Sequence, residues 1–208
     1  MKTWMTLLLA AIVLAAPLAM AEEAEKAVGD PYPLGVCAVS GEELGSMGDP
    51  VVKVENGREV KFCCSGCVGK YEKMTEQFSA ELDKKIVALE EPLYPLATCV
   101  KSGKELTADA KVFVVGNRLV KTCCGNCEKA VEEDPAAYIE KLNAAVVEAQ
   151  SKDYPAGATC PVSGKPIEGD GQPVVLAGKL VKLCCGGCKG KALAEPAVML
   201  SKVYGETK

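Results

Sequence analysis

Residues 60–67 read Val-Lys-Phe-Cys-Cys-Ser-Gly-Cys, and this cysteine-rich run recurs twice further along the chain. Residues 120–127 read Val-Lys-Thr-Cys-Cys-Gly-Asn-Cys, and residues 181–188 read Val-Lys-Leu-Cys-Cys-Gly-Gly-Cys. Each run follows a Cys-x-x-Ser-Gly segment, which occupies residues 37–41, 99–103 and 160–164. The same order of motifs in three places predicts a tandem repeat in which every copy folds in the same way.

A β-hairpin is predicted between the two cysteine motifs of each copy. In the first copy, apolar and β-branched residues at 51–54 and 59–62 flank an Asn-Gly pair, which is a strong signal for a hairpin turn. The corresponding strands of the other copies are predicted at residues 112–115, 119–122, 174–176 and 180–183.

A helix is predicted after each Cys-Cys-x-x-Cys run. The first copy has an apolar stripe at helical spacing, formed by Tyr71, Met74, Phe78 and Leu82. Met74 is therefore expected to pack in the core. Asp134-Pro135 in the second copy has the residue types of an N-cap and a first helical position, which predicts a further helix to about residue 147. Glu195-Pro196 stands at the matching place in the third copy.

The first 21 residues have the features of a secretory signal peptide. Lys2 is followed by a short apolar run at residues 7–16 and by an Ala-x-Ala cleavage site at residues 19–21. The alternative is a membrane anchor, but the run is shorter than the roughly 20 residues that a spanning helix needs. We expect the chain to be periplasmic or secreted, with no stable membrane span after the signal is removed.

The predicted organisation is a signal peptide at residues 1–21 and modules at residues 22–92, 93–152 and 153–208. Acidic or proline-containing segments near residues 90–92 and 151–153 are predicted to be linkers. The predicted fold class is α+β, with three small tandem modules that each contain a cysteine knuckle, a β-hairpin and a helix. Aromatic residues make up only 5% of the chain, which fits three small cores better than one large core.

The amino-acid composition excludes several classes of function. The 208 residues include 12 cysteines and no histidine, which excludes Ser-His and Cys-His nucleophile pairs, imidazole-bound haem and histidine-liganded catalytic zinc. The net charge of −4 provides no basic surface for nucleic acid. We therefore predict a protein that is not an enzyme and does not bind nucleic acid.

Charged residues near the cysteines are expected to be solvated. The lysines that precede each vicinal cysteine pair by two positions are predicted on exposed strand faces, with compensation of the negative site as the alternative; they are Lys61, Lys121 and Lys182. The acidic run at residues 132–134 is predicted to lie on the outer face of a helix.

The cysteines are predicted to hold soft metal ions. A module of about 60 residues buries little apolar surface and needs an additional constraint. Sulfurs from the knuckle, the strand end and the first helical turn can converge on one centre, as in a structural zinc site. The candidate ligands are Cys37, Cys63, Cys64, Cys67, Cys99, Cys123, Cys124, Cys127, Cys160, Cys184, Cys185 and Cys188.

Two coordination schemes remain open, because the second knuckle position is a serine in every copy. The vicinal cysteine restores four ligands in one scheme, and three thiolates suited to cuprous copper hold the ion in the other. Two disulfides per module are a further alternative, because exported cysteines usually pair. Adjacent cysteines do not easily bond each other, however.

These motifs resemble the TRASH/YHS group of treble-clef-type domains. The group's pattern is one cysteine, roughly two dozen residues, a Cys-x-x-x-Cys pair and commonly an aromatic residue, which matches Cys37, Cys63, Cys67 and Tyr71. The resemblance implies the same ligand roles for Cys99, Cys123, Cys127, Cys160, Cys184 and Cys188. It also implies heavy-metal sensing, trafficking or resistance. Cys64 departs from the pattern, because the position is often serine in YHS domains.

The favoured hypothesis is an exported protein that captures, buffers or traffics zinc or copper(I), with one ion per module. Its expected partners are metal ions and a metal transporter or another exported protein. The alternative is a structural or interaction protein whose repeats are stabilised by zinc or disulfides. A thiol redox protein is a third hypothesis, disfavoured because no βαβ pattern surrounds the Cys-x-x-Cys elements.

Overall fold

The protein has an α+β fold with three two-stranded antiparallel sheets and helices that follow each sheet. The computed structural model describes residues 30–205, and the predicted signal peptide lies outside them. Within residues 30–205, no helix has both the length and the apolar character needed to cross a membrane.

The strands lie where the sequence predicts them and are slightly longer. They are β1 (Val51–Glu55), β2 (Arg58–Phe62), β3 (Lys111–Val115), β4 (Arg118–Thr122), β5 (Gln172–Leu176) and β6 (Lys179–Leu183). In the first hairpin Val51 pairs with Phe62, and the turn residues Asn56 and Gly57 both have positive φ, 50° and 75°. Tight hairpin turns require this left-handed conformation, so the Asn-Gly prediction is confirmed.

Two helices follow the cysteine run of each copy, although the apolar stripe of the first copy predicts a single continuous helix. The helices are α1 (Ser65–Lys73), α2 (Thr75–Glu90), α3 (Gly125–Glu133), α4 (Pro135–Gln150), α5 (Lys189–Ala194) and α6 (Pro196–Tyr204). Met74 separates α1 from α2 with non-helical φ and ψ of −139° and 39°, and its side chain is 48% exposed. The prediction that Met74 packs in the core is wrong, because the chain changes direction at this residue.

The matching break in the second copy is at Asp134, as predicted from Asp134-Pro135. The Asp134 carboxylate accepts a hydrogen bond from the Ala137 N–H and caps α4. In the third copy Glu195 precedes Pro196 at the start of α6. The acidic run at residues 132–134 is exposed, as predicted.

The buried residues form three small clusters, one around each cysteine motif. Equivalent helix positions in the three clusters are occupied by Tyr71, Val131 and Ala192, which are 1%, 0% and 0% exposed. The aromatic residue of the first copy is therefore a core residue, and smaller apolar side chains fill the same place in the other copies.

The helices also join each copy to the next one. Glu90, the last residue of α2, accepts hydrogen bonds from Arg118 Nε at 3.0 Å and from the Leu119 N–H at 2.9 Å. Gln150, the last residue of α4, accepts from the Leu180 N–H at 2.8 Å in the same manner. The sequence predicts a linker near residues 90–92, but Glu90 is helical and only 2% exposed. It is buried because its carboxylate binds Arg118 and the Leu119 N–H of the next hairpin.

A second contact between copies is made by Asn117 in the turn between β3 and β4. Its side-chain amide donates to the carbonyls of Asp30 at 2.7 Å and Glu59 at 2.8 Å, and the residue is fully buried. The third copy contacts the first copy as well, because Lys61 Nζ donates to the carbonyl of Ala194.

Replacing Asn117 by alanine is expected to lower the free energy of unfolding by about 1–3 kcal/mol, because the part-buried carbonyls of Asp30 and Glu59 each lose a hydrogen bond. Chemical denaturation of the variant measures this change. Gln77→Ala is the matched control, because its exposed amide contacts only Glu81. Equal stability of the two variants would show that the Asn117 contacts do not stabilise the packing of the copies.

Candidate metal centre

Three short segments place the sulfurs of the first copy. Cys37 lies in the knuckle, where its N–H donates to the Glu42 carbonyl at 2.7 Å and its carbonyl accepts from the Gly41 N–H at 3.1 Å. Cys63 directly follows β2, and Cys67 lies in the first turn of α1. The end of β2 and the start of α1 therefore place the sulfurs of Cys63 and Cys67 close to that of Cys37 in the knuckle.

The Sγ atoms of Cys37, Cys63 and Cys67 all lie within 4.8 Å of one another. The distance between the Cys63 and Cys67 sulfurs is 3.7 Å, well beyond the roughly 2.05 Å of a disulfide bond. Two thiolates bound tetrahedrally at a metal–sulfur distance of 2.3 Å would be separated by about 3.8 Å. The triad therefore has the spacing of ligands around a metal ion.

The other copies repeat this geometry. Each has a triad within the same 4.8 Å limit, and the sulfurs of its strand-end and helical cysteines are separated by 3.8 Å in both copies. All twelve cysteines lie within the described residues and are free thiols. The triads comprise Cys99, Cys123 and Cys127 in the second copy, and Cys160, Cys184 and Cys188 in the third.

The vicinal cysteines lie beside the triads, not within them. Cys64 Sγ is 4.0 Å from Cys63 Sγ and 3.8 Å from Cys67 Sγ. The backbone of Cys64 is extended, with φ −160° and ψ 166°, at the N-cap of α1. Cys124 and Cys185 have equivalent positions and are exposed. The twelve predicted ligands therefore divide into nine triad sulfurs and three peripheral sulfurs.

A serine hydroxyl contacts each triad. This serine occupies the second knuckle position, three residues after the knuckle cysteine. Ser40 Oγ lies 3.4 Å from Cys63 Sγ and accepts a hydrogen bond from the Glu42 N–H at 3.3 Å, which leaves its hydroxyl proton free to donate to the sulfur. Ser102 and Ser163 make the same contacts, at 3.4 and 3.3 Å from their sulfurs.

The sequence pattern places a serine at this position in every copy but does not indicate that its hydroxyl can donate a hydrogen bond to a sulfur. The recurrence of these serines in all three copies is the sequence signal that could have indicated this hydrogen bond. Groups that hydrogen-bond to metal ligands orient those ligands and modulate their basicity.

The hydrogen bonds also set the charge of the cluster. Burial raises the pKa of the Cys37 thiol, but hydrogen bonds from the Ser40 side chain and from several backbone N–H groups together outweigh burial, and the pKa falls to about 6. The pKa falls to about 6 for the same reasons at Cys99 and Cys160. Burial and the neighbouring sulfurs raise the pKa of Cys67 to about 12. The lowered pKa of the knuckle cysteine favours its thiolate form, which is the form that binds a cation.

The three lysines that precede the vicinal pairs have partners away from the sulfurs. Lys61 is only 8% exposed and donates to Ala194, so the prediction of a solvated position is wrong for this residue. Lys121 Nζ lies 5.2 Å from the ring centre of Tyr94, and Lys182 Nζ lies 5.3 Å from that of Tyr154. These cation–π contacts hold the lysine side chains against the tyrosines.

No family model, curated protein or solved structure matches the chain. The functional interpretation therefore depends on the chemistry of the three sites themselves. Three triads of free, largely buried thiols at metal-ligand spacing are compatible with metal binding, with one ion in each triad.

Proposed function

We propose that the protein binds soft metal ions, one in each cysteine triad, for capture, buffering or trafficking outside the cytoplasm. The observation that carries this proposal is the threefold occurrence of a largely buried triad whose sulfurs all lie within 4.8 Å of one another. Soft thiolate ligands select soft or borderline ions such as Cu(I) and Zn(II). Export is supported by the signal-peptide features of residues 1–21.

Cuprous copper is the ion that the triad favours. Each triad provides three sulfurs. The serine hydroxyl at the second knuckle position is hydrogen-bonded to one of them and is not itself a soft ligand. Structural zinc sites are almost always four-coordinate, whereas a soft monovalent ion is satisfied by fewer thiolates. Zinc becomes the favoured ion if the vicinal cysteine joins the triad as a fourth ligand.

The proposal includes a treble-clef-type fold for each module and a relationship to the TRASH/YHS group. It is supported by the order of knuckle, hairpin and helix, with one ligand from the knuckle and two from the junction between strand and helix. We also propose that the protein is not an enzyme, because histidine is absent and the cysteines form ligand-like clusters.

Native mass spectrometry tests the proposal by counting ions and disulfides on the same molecule. The chain is purified anaerobically without chelator and loaded with Cu(I) or Zn(II) in separate samples. We expect three ions per chain, and the preferred ion is identified by loading with both together. A mass that corresponds to six disulfides and no metal would overturn the proposal.

Removing the serine hydroxyls is expected to weaken Cu(I) binding about 10–100-fold at each site, because each triad loses a hydrogen bond to one of its sulfurs. The variant is Ser40→Ala with Ser102→Ala and Ser163→Ala, and competition with a chromophoric Cu(I) chelator measures its affinity. The capacity of three ions should remain, because every triad sulfur is retained.

Ser46→Ala is the control for this experiment. The Ser46 hydroxyl donates to the Glu43 carbonyl at 2.6 Å and is exposed, so its loss should leave metal affinity unchanged. An unchanged affinity in the triple serine variant would contradict a role of these hydroxyls at the sites.

A further inference from the structure

The four sulfurs of each site differ in their access to solvent. The knuckle cysteines Cys37, Cys99 and Cys160 are 0%, 2% and 0% exposed. The helical cysteines Cys67, Cys127 and Cys188 are also buried, at 6%, 7% and 9%. The vicinal residues Cys124 and Cys185 are instead exposed, and Cys64 is partly exposed. Of the strand-end cysteines, Cys63 is buried, and Cys123 and Cys184 are partly exposed. Each site therefore has an inner set of three triad sulfurs and one outer, vicinal sulfur that is the most exposed of the four.

The outer sulfur lies one ligand spacing from the inner set. Cys64 Sγ is 3.8 Å from Cys67 Sγ, and the corresponding distances are 3.7 Å in the second copy and 3.8 Å in the third. These distances equal those between sulfurs of the triads themselves. An ion held by the triad therefore needs only a small displacement to bond to the outer sulfur.

Small residues follow the outer cysteine in the first and third copies and leave its sulfur open to approach. Cys64 is followed by Ser65 and Gly66, and Cys185 is followed by Gly186 and Gly187. Apart from the adjacent residues and the backbone of its own helix, no atom of residues 30–205 lies within 4 Å of where a side chain on Gly186 would begin. Around Gly66 and Gly187, the only such neighbour is the outer sulfur itself. A thiol carried by another molecule can therefore reach this sulfur without displacing a bulky side chain.

We propose that Cys64, Cys124 and Cys185 are exchange ligands, through which the ion passes between the triad and a thiol-bearing acceptor or donor molecule. This inference depends on the metal-binding function proposed above and specifies its partner as a molecule that presents cysteine-like thiolates. The triad sulfurs hold the ion, and the outer sulfur provides its route to the surface.

The exchange is a substitution of ligands without any change in oxidation state. The outer thiol gives its proton to water and its sulfur bonds to the ion, while one triad sulfur leaves the ion and takes up a proton. Thiolates of the acceptor, one for each remaining triad sulfur and one for the outer sulfur, then bond to the ion from the exposed side as those sulfurs leave and take up protons from the acceptor thiols. One metal–sulfur bond forms for each that breaks, and protons are conserved.

The test compares three forms of the full chain loaded anaerobically with Cu(I). They are the unaltered chain, an outer variant with Cys64→Ser, Cys124→Ser and Cys185→Ser, and an inner variant with Cys37→Ser, Cys99→Ser and Cys160→Ser. Native mass spectrometry gives the ions per chain, and chelator competition gives the equilibrium affinity. Stopped-flow transfer to excess dithiothreitol, a small dithiol acceptor, gives the exchange rate.

We expect the outer variant to retain three ions with affinity within about threefold of the unaltered chain, and to transfer them at least about tenfold more slowly, because access governs thiol exchange. The inner variant should bind its ions more weakly than the unaltered chain, because each site loses its most deeply buried sulfur. Transfer by the outer variant at the unaltered rate would overturn the inference.

Loss of ions from the outer variant would also overturn the inference, because the vicinal cysteine would then be a resident fourth ligand. Failure of the unaltered chain to bind Cu(I) or Zn(II) refutes the proposed function itself, and the exchange role fails with it. The two failures are therefore distinguished by which protein loses its ions.

Discussion

Substituting Glu90 by alanine is expected to lower the free energy of unfolding by about 3–5 kcal/mol, one of the two largest effects that we predict. The Arg118 and Glu90 side chains are only 8% and 3% exposed, and Arg118 Nε lies 3.0 Å from the Glu90 carboxylate. The substitution leaves the guanidinium buried without its counter-charge and the Leu119 N–H without its acceptor. Equilibrium denaturation in urea measures the loss.

The control for this prediction is Glu72→Ala at an exposed ion pair. The Lys53–Glu72 pair has the same 3.0 Å distance, but its side chains are 34% and 54% exposed. Solvent screens such pairs, so the expected loss of stability is much smaller than that for Glu90→Ala. Similar losses for Glu90→Ala and Glu72→Ala would contradict the importance of the buried contact.

A double variant separates the net contribution of the buried ion pair to stability from the cost of removing only one of its partners. Burial raises the pKa of Glu90 even though Arg118 opposes this rise, so desolvation is the larger influence on this carboxyl group. Replacing both residues by leucine should therefore be less destabilising than Glu90→Ala alone, because the Arg118 guanidinium is no longer buried without the Glu90 carboxylate. A double variant that is less stable than the single variant would contradict this explanation.

Removal of the bound ions is expected to have the second large effect. Each site occupied at a free-ion concentration 1,000-fold above its Kd contributes about 4 kcal/mol of stability, provided that the unfolded chain binds the ion weakly. For a chain of this size, the loss at a single site corresponds to a fall in Tm of about 10 °C. Differential scanning calorimetry of the loaded and chelator-treated protein measures the change.

The inner cysteine variant provides the control for ion removal. A chain with Cys37→Ser, Cys99→Ser and Cys160→Ser lacks one sulfur of every triad, so added Cu(I) should raise its Tm by less than it raises that of the unaltered chain. Stabilisation of this variant by Cu(I) equal to that of the unaltered chain would contradict binding in the triads.

The local elements were predictable because each has a short-range cause. The Asn56-Gly57 turn and its flanking strands follow from residues adjacent in sequence, and both turn residues adopt the expected positive φ. Asp134 caps α4 for the same reason, because the capping group and its partner Ala137 are three residues apart. The grouping of cysteines by copy was predictable from their repeated spacing.

The break at Met74 and the burial of Glu90 were not predictable in this way. The apolar stripe continues across Met74, but the chain changes direction there and leaves its side chain exposed. Glu90 is an acidic residue beside a proline-containing segment, which is the composition of a linker. Its burial depends on Arg118 and Leu119, which belong to the hairpin of the next copy.

The sequence by itself determined the threefold repeat, the α+β class and the twelve candidate ligands, because these depend on residue types and spacings along the chain. Only the tertiary structure separated the three outer cysteines from the nine triad cysteines and placed Ser40, Ser102 and Ser163 against the sulfurs. These features depend on how the knuckle packs over the junction of strand and helix. Segments more than twenty residues apart meet there, and their side-chain directions are fixed by packing.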